Sequence, residues 1–297
     1  MSQRALLLVN PQARQGEAAR SQVIQQLQQQ GFELVEESGE DPQRFPDLIR
    51  HYHQEINLVI IGGGDGSVNA AVPGLLDTNL PLGILPLGTA NNLARTLKIP
   101  PSVSETCHII AEGQVQRIDL GWVNGHYFLN IASLGLSAEI NQRVTKHLKR
   151  RWGVLAYMAT GLQVIWQVRP FGVEIQWNNQ SIQVKTLQIT VANGRYYGSG
   201  LVIADDATID DERLDFHSLE IQHWWEILPL IPSAMRGKSV IGRGVRTIEA
   251  KEFNLYTKTP YPINTDGERT TKTPAQFRVL PHRLSVFMPS SIKQCSG

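Results

Sequence analysis

An apolar run, Leu58-Val-Ile-Ile, leads straight into Gly62-Gly63-Gly64-Asp65-Gly66-Ser67-Val68-Asn69. Glycines in such a place let a ligand approach the backbone with no Cβ in the way, and the exposed N–H groups of an opening helix attract phosphate. A plain strand-to-helix turn would need only one or two of them. A second run, Leu85-Pro86-Leu87, ends in Gly88-Thr89-Ala90-Asn91-Asn92. Its hydroxyl and amides suit phosphate or ribose oxygens, and Thr89 acting as a helix cap accounts for the same residues. Two such turns on consecutive strands of a parallel sheet both fall at its C-terminal edge, where open α/β folds bind ligands. Neither is a common phosphate motif. Asn69 stands where a dinucleotide fingerprint needs its third glycine, and Gly237-Lys238-Ser239 has Pro232 in place of the first glycine of a P-loop.

Acids form the second set. Asp266, in Asn264-Thr265-Asp266-Gly267-Glu268, can accept a proton beside a glycine that lets the backbone turn, and Asp-Gly is equally the usual signal of a hairpin turn. The segment from Ala204 to Asp215 concentrates carboxylates that suit a hard cation or a solvated loop. The eight histidines are scattered, and His51 and His53 point to different sides of a helix, so no metal pair follows. No G-x-S-x-G elbow is present, which removes the main signal for an α/β-hydrolase.

The elements that must position these residues alternate in the first half. Strands are predicted over 5–9, 32–35, 58–61 and 83–87, with helices near 23–27, over 45–53, over 67–76 and after Thr89 up to Pro100-Pro101. Such alternation implies a parallel sheet with helices on its faces. From about Ile118 strands dominate, over 171–177, 182–191, 214–219, 247–256 and 284–288, with one helix from Ala138 to Arg169. The fold class is therefore α/β: a parallel-sheet domain over 1–127, then a β-rich domain over 128–297. The boundary lies near 124–135, and the final segment is a candidate to pack back on the first domain.

Composition sets the bounds. With 28 Lys plus Arg against 27 Asp plus Glu, a formal charge of +1 gives no field that recommends nucleic acid, and the six Trp lack the basic background of base-stacking surfaces. Cys107 and Cys295 cannot build a disulfide framework and suit a reducing compartment. The longest apolar runs fall far short of the roughly 20 residues that span a bilayer, and the first residues lack a signal-peptide pattern. A cytoplasmic protein is expected.

In order and spacing, Asn10-Pro11, Gly62 to Asn69, Leu87 to Arg95, Asp119-Leu120-Gly121 and Asp266-Gly267-Glu268 resemble the diacylglycerol kinase catalytic superfamily, specifically the bacterial YegS/BmrU-like lipid kinases, and cover nearly the whole chain. The resemblance implies an α/β ATP-binding domain, a sandwich-like β domain for the lipid, and a cleft between them. ATP phosphates then fall on Gly63, Gly64, Asp65, Gly66, Ser67, Val68 and Asn69, with Thr89, Asn91 and Asn10 lining the nucleotide site. The proton acceptor falls on Asp266, with Glu268 in the same catalytic motif. Asp65 and Asp119 join a Mg²⁺ network, and a second, structural Mg²⁺ takes the Asp211 side chain with the carbonyls of Thr208 and Arg213. Two positions depart from the family pattern: Asn92 stands for its usual Asp, and Glu212 for its usual Gly.

The expected activity is ATP- and Mg²⁺-dependent transfer of the γ-phosphoryl group to a hydroxyl of a diacylglycerol-like lipid, in an enzyme peripheral at the inner membrane face and compatible with a homodimer. The basic stretch Val144 to Trp152 and the apolar helix after it fit an anionic membrane or an acyl groove, and fit a solvated face and core helix equally. A kinase of a soluble alcohol such as NAD, or a catalytically silent nucleotide-binding regulator, remains the competing expectation.

Overall fold

The run Ala5–Val9 has no polar residue because a strand covered on both faces reads as continuous apolar sequence. The computed structural model describes residues 3–136, 169–194, 196–197, 201–202, 209–221, 226 and 244–289. The described residues up to Asp119 and from Pro281 onward form one compact unit, and those from Leu120 to Leu280 form a second.

In the first unit the chain builds β1 (Gln3–Val9), α1 (Gly16–Gln29), β2 (Phe32–Ser38), α2 (Phe45–Tyr52), β3 (Leu58–Gly63), α3 (Asp65–Thr78), β4 (Leu82–Pro86), α4 (Asn92–Thr96) and α5 (Val103–Glu112). The sheet order is β2-β1-β3-β4, all parallel, and Val286 pairs with Leu82 beyond β4. Ala5, Leu7 and Val9 pack with Val23 and Leu27 of α1 and with Cys107 and Ile110 of α5. Alternate residues such as Leu6, Leu8, Val59 and Ile61 are buried on the other face, the side of α2 and α3. β1 sends its crossover to β2 on one side while β3 sends its own to β4 on the other. The strand order therefore reverses between β1 and β3, which is where a doubly wound sheet opens a ligand crevice at its carboxyl ends.

β5 (Val115–Val123) carries the chain into the second unit, where β6 (His126–Phe128), β7 (Ile131–Gly135), β8 (Phe171–Trp177), β9 (Gln180–Thr186), β10 (Gln188–Ala192), the short pair β11 (Tyr196–Tyr197) and β12 (Leu201–Val202), β13 (Leu214–Leu219), β14 (Val245–Ala250), β15 (Glu252–Thr257), β16 (Pro262–Thr265), β17 (Glu268–Lys272) and the start of β18 (Ala275–Phe287) follow. One antiparallel sheet runs β14-β13-β10-β7-β16-β17, while β9, β8, β15 and β18 pair in another. Their inner faces share one core that includes Phe216, Ile189 and Ile263 from the first and Phe253, Phe277 and Ile175 from the second. The parallel-sheet α/β domain followed by a sandwich-like β domain is the expected fold class.

Three expectations need correcting. The runs 182–191 and 247–256 are each two strands, because single residues, Leu187 and Lys251, pass the chain from one sheet to the other. Both were continuous in apolar alternation, so period alone hid the break. The helix expected after Thr89 opens only at Asn92, since Asn91 takes a left-handed conformation first. The helix expected over 138–169, except Arg169, which is not helical, and the basic stretch 144–152 lie outside the described residues.

Candidate active site

The loops after β1, β3 and β4 meet in the first unit. The N–H of Asn10 donates to the Gly62 carbonyl at 2.8 Å, and that of Gln15 donates to Leu87 at 3.0 Å. The Asn10 carboxamide accepts from the N–H of Gln12 (2.9 Å) and donates to Ser67 Oγ (3.1 Å), so the first loop is tied to the start of α3. Gly63 has no substitute here, because a Cβ would stand 2.6 Å from Ser67 Oγ. Gly64 and Gly88 touch through their backbones: a Cβ on Gly88 would lie 2.4 Å from the Gly64 Cα. The N–H groups of Leu87 and Gly88 both donate to the Gly63 carbonyl, at 3.0 and 3.1 Å.

Asp65 links the two glycine turns. Its carboxylate accepts from the N–H of Asn92 and from that of Leu93, each at 3.0 Å, and so caps α4 from another element. Thr89 is therefore not the cap; its side chain is exposed and makes no hydrogen bond among the described residues. Asn91 accepts from Gly88 N and donates to the carbonyls of Pro86 and Gly88 (3.1, 2.9 and 3.2 Å), which closes its own turn. The N–H groups of Gly64, Asp65 and Gly66 make no hydrogen bond among the described residues, so the start of the 14-residue α3 offers a row of donors. Val68 is buried core, and the Asn69 Oδ1 is buried without a partner among the described residues, as is that of Asn92. Asn69 lies one turn along α3 from Asp65, and Asn92 donates to it. Carboxylate and carboxamide oxygens of this kind are hard donors, the type that Mg²⁺ takes directly or through water.

Asp119, 1% exposed, does not join that set through any bond described: it accepts from the N–H of His282 at 2.8 Å, with the ring Nδ1 at 3.6 Å. It fastens β5 to the returning β18.

In the second unit Thr265-Asp266-Gly267-Glu268 is a two-residue hairpin turn between β16 and β17, with φ of +47° at Asp266 and +94° at Gly267. Asp266 is nevertheless no solvent-facing turn residue. One carboxylate oxygen accepts from the N–H of Leu129 (2.7 Å) and the other from those of Asn130 (3.0 Å) and Ile131 (3.1 Å). Its own N–H donates to the Ile131 carbonyl at 2.9 Å. Glu268, two residues on, is exposed and its carboxylate makes no hydrogen bond among the described residues.

The acidic loop differs from its expected form. Asp211 accepts from the Arg213 N–H (3.3 Å) and pairs with its Nε (3.2 Å), while the same guanidinium reaches Glu249 (2.8 Å) and Asp215 (3.7 Å). Glu212 holds φ at +57° and pairs with Lys251 at 2.8 Å, the conformation that glycine adopts without strain. Thr208 lies outside the described residues, and among those described no group of three or more His, Cys, Asp or Glu is placed to hold a metal.

Residue patterns alone did not single out the Leu129–Ile131 backbone or Asn193, whose Nδ2 donates to the Leu129 carbonyl at 3.1 Å. A lone Asn130 inside Phe128-Leu-Asn-Ile-Ala was the available signal.

Residues 4–123 match the model of the diacylglycerol kinase catalytic domain, and residues 130–288 that of the YegS C-terminal NAD kinase beta sandwich-like domain. The chain is 29% identical over 276 residues to a diacylglycerol kinase of Bacillus subtilis, covering 91% of this chain and 90% of that one. It is 27% identical over 301 residues to the Staphylococcus saprophyticus diacylglycerol kinase, covering 99% and 98%. Two solved structures from Bacillus anthracis str. Sterne share the fold, one at TM-score 0.82 and 23% identity over 98% of this chain and 96% of that one. The other, a diacylglycerol kinase, has TM-score 0.74 and 20% identity over 98% of each. Both halves of the chain thus match in order, and it belongs to the family that joins a diacylglycerol kinase catalytic domain to a YegS-type C-terminal domain.

Proposed function

We propose that the protein is an ATP- and Mg²⁺-dependent kinase that moves the γ-phosphoryl group to a hydroxyl of a diacylglycerol-like lipid. The observation that carries this reading is the row of donors at Gly64, Asp65 and Gly66, beside the reversal of strand order between β1 and β3. Backbone N–H groups at a helix start, with a Gly88 backbone against them, hold phosphate oxygens without a side chain in the way. Thr89 adds an uncommitted hydroxyl. Asp65, Asn69 and Asn92 supply the oxygens for Mg²⁺, which offsets charge on the phosphates when bound.

Phosphoryl transfer asks the protein mainly to position groups and to take the proton of the attacking hydroxyl. Asp266 is committed to three backbone N–H groups, so its role is to hold the turn and the Leu129–Ile131 segment in register. The proton acceptor is Glu268, whose carboxylate the turn presents uncommitted. Because the acceptor is a membrane lipid, the enzyme works at the cytoplasmic membrane surface. Support for the lipid comes from the relatives named diacylglycerol kinase.

γ-Labelled ATP offered with Mg²⁺ to diacylglycerol in mixed micelles, to NAD and to no acceptor tests this. Label should appear in phosphatidate and depend on Mg²⁺. Label in NADP, or in neither product, refutes the lipid reading.

A further inference from the structure

Asn130 sits in the bend between β6 and β7, 2% exposed. Its backbone is fully used: the N–H donates to Asp266, and the carbonyl accepts from the N–H groups of Asn193 (2.8 Å) and Gly194 (3.2 Å). Its side chain is not, for neither Oδ1 nor Nδ2 has a hydrogen-bond partner among the described residues. Burying both halves of a carboxamide unpaired is costly, and almost all such groups in native proteins are bonded to something. A leucine has similar volume and carries no such penalty. The chain accepts a locally unfavourable residue at the segment that holds the Asp266 turn, and such exceptions cluster at functional sites.

The location says which function. Glu268 pairs with Thr265 across the hairpin, Thr265 pairs with Ala132 on β7, and Asn130 lies two residues before Ala132. The unpaired carboxamide therefore lies in the bend that leads into β7, the strand paired with the hairpin that carries the proposed proton acceptor. It offers one acceptor and two donors, which matches a hydroxyl flanked by an ester carbonyl. Its burial requires that ligand and site exclude water together, which strengthens both bonds.

We infer that the Asn130 carboxamide binds the acceptor alcohol, the two N–H groups of its Nδ2 donating to the hydroxyl oxygen and to the adjacent ester carbonyl of the glycerolipid headgroup, which leaves the O–H proton to Glu268. The identity of the ligand rests on the kinase reading above. The test uses the full chain, 1,2-dioctanoylglycerol as probe, and the variants Asn130→Leu and, should that not fold, Asn130→Ser. Dioctanoylglycerol should raise the unfolding midpoint of the unaltered protein and not that of the variant, while ATP with Mg²⁺ shifts both alike. In turnover the variant's KM for dioctanoylglycerol should rise about tenfold, roughly one hydrogen bond, with KM for ATP unchanged. The ligand-free midpoint of Asn130→Leu should hold or rise. An equal dioctanoylglycerol shift in both proteins, or no shift in either, overturns the assignment. So does a lower ligand-free midpoint with both KM values unmoved, which marks Asn130 as the ligand of a structural water. Failure of the kinase reading appears separately, as absence of label transfer by the unaltered protein.

Discussion

Replacing Asp266 by Asn separates a scaffold from a proton acceptor. The carboxylate now takes three N–H bonds, from Leu129, Asn130 and Ile131 at 2.7, 3.0 and 3.1 Å. Hydrogen bonds to a charged group contribute roughly 1.5–3 kcal/mol each, and neutral ones about half as much. The best placement of the amide keeps its oxygen on Asn130 and Ile131 and turns its NH₂ towards the third donor. Two weakened bonds replace three strong ones, a loss of about 3 kcal/mol at the low end, which applies because Asp266 is half-buried and water competes. In a unit of this size that lowers the thermal midpoint by on the order of 10 °C. Glu268→Gln should behave in the opposite way, with a midpoint within about 1 °C of the starting protein and kcat reduced by roughly 10²–10⁴. Differential scanning calorimetry and initial rates at saturating ATP and lipid read both quantities. An Asp266→Asn protein of unchanged midpoint and no turnover, beside a fully active Glu268→Gln, would return the proton to Asp266 and refute this division of roles.

Three further outcomes are expected. Gly88→Val places a Cβ 2.4 Å from Gly64 Cα and forces the two phosphate turns apart; ATP affinity by titration calorimetry should fall at least about tenfold while the second unit's transition is unmoved, and unchanged affinity counts against the loops as the nucleotide site. Arg213→Met removes the guanidinium shared by Asp211, Glu249 and Asp215, so stability to urea should drop by about 2 kcal/mol and become sensitive to Mg²⁺, whereas the unaltered protein should be indifferent to EDTA in the absence of nucleotide. Burial lowers the His217 pKa from 6.5 to about 4. The unfolded chain then binds the extra proton first, so the contribution is whole above pH 6.5 and fades towards pH 4, by up to about 3 kcal/mol at 1.36 kcal/mol per pKa unit. Urea midpoints between pH 7 and 4 should fall less steeply for His217→Gln, and parallel curves would remove His217 as the cause.

The fold was legible where burial is one-dimensional. Ala5–Val9 and Leu58–Ile61 announce central parallel strands because both of their faces are covered, and the glycines after them mark the strand ends. In the β-rich unit the same reading ran past Leu187 and Lys251, because a strand that changes sheets keeps its alternation, and only the partners on either side differ. At the site, the family resemblance singled out Asp65, Asp119 and Asp266 but not the groups their carboxylates bind. What each carboxylate binds lies 27 to 163 residues away, at Asn92, at His282 and at Leu129–Ile131, and no local pattern encodes that distance. Asn91 was expected to line the nucleotide site, yet its amide is spent on Pro86 and Gly88, a turn-closing role that any Asn in a left-handed position can take.

These three aspartates share one physical device, a carboxylate that accepts backbone N–H groups from a distant segment and so fixes two loops against each other. Such a bond needs charge, and it needs the shorter Asp arm, since Glu would push the partner loop outward by a methylene. The residues that make the family recognisable are thus the ones that hold its loops, and their presence alone would be the same in an active kinase and in a silent regulator. In the proposed kinase, activity rests instead on groups the framework leaves unspent among the described residues: the N–H row at Gly64 to Gly66, the Thr89 hydroxyl, the Glu268 carboxylate and the Asn130 carboxamide. A silent regulator would have no physical reason to keep a buried unpaired amide at 130, because a leucine there avoids the cost of burying it. The unaltered protein's label transfer separates the two classes, and the midpoint of Asn130→Leu measured against its turnover then weighs the residue: a gain in stability coupled to a loss of lipid phosphorylation is the signature of a residue retained for chemistry, and a gain in stability with turnover unchanged removes Asn130 from the lipid site.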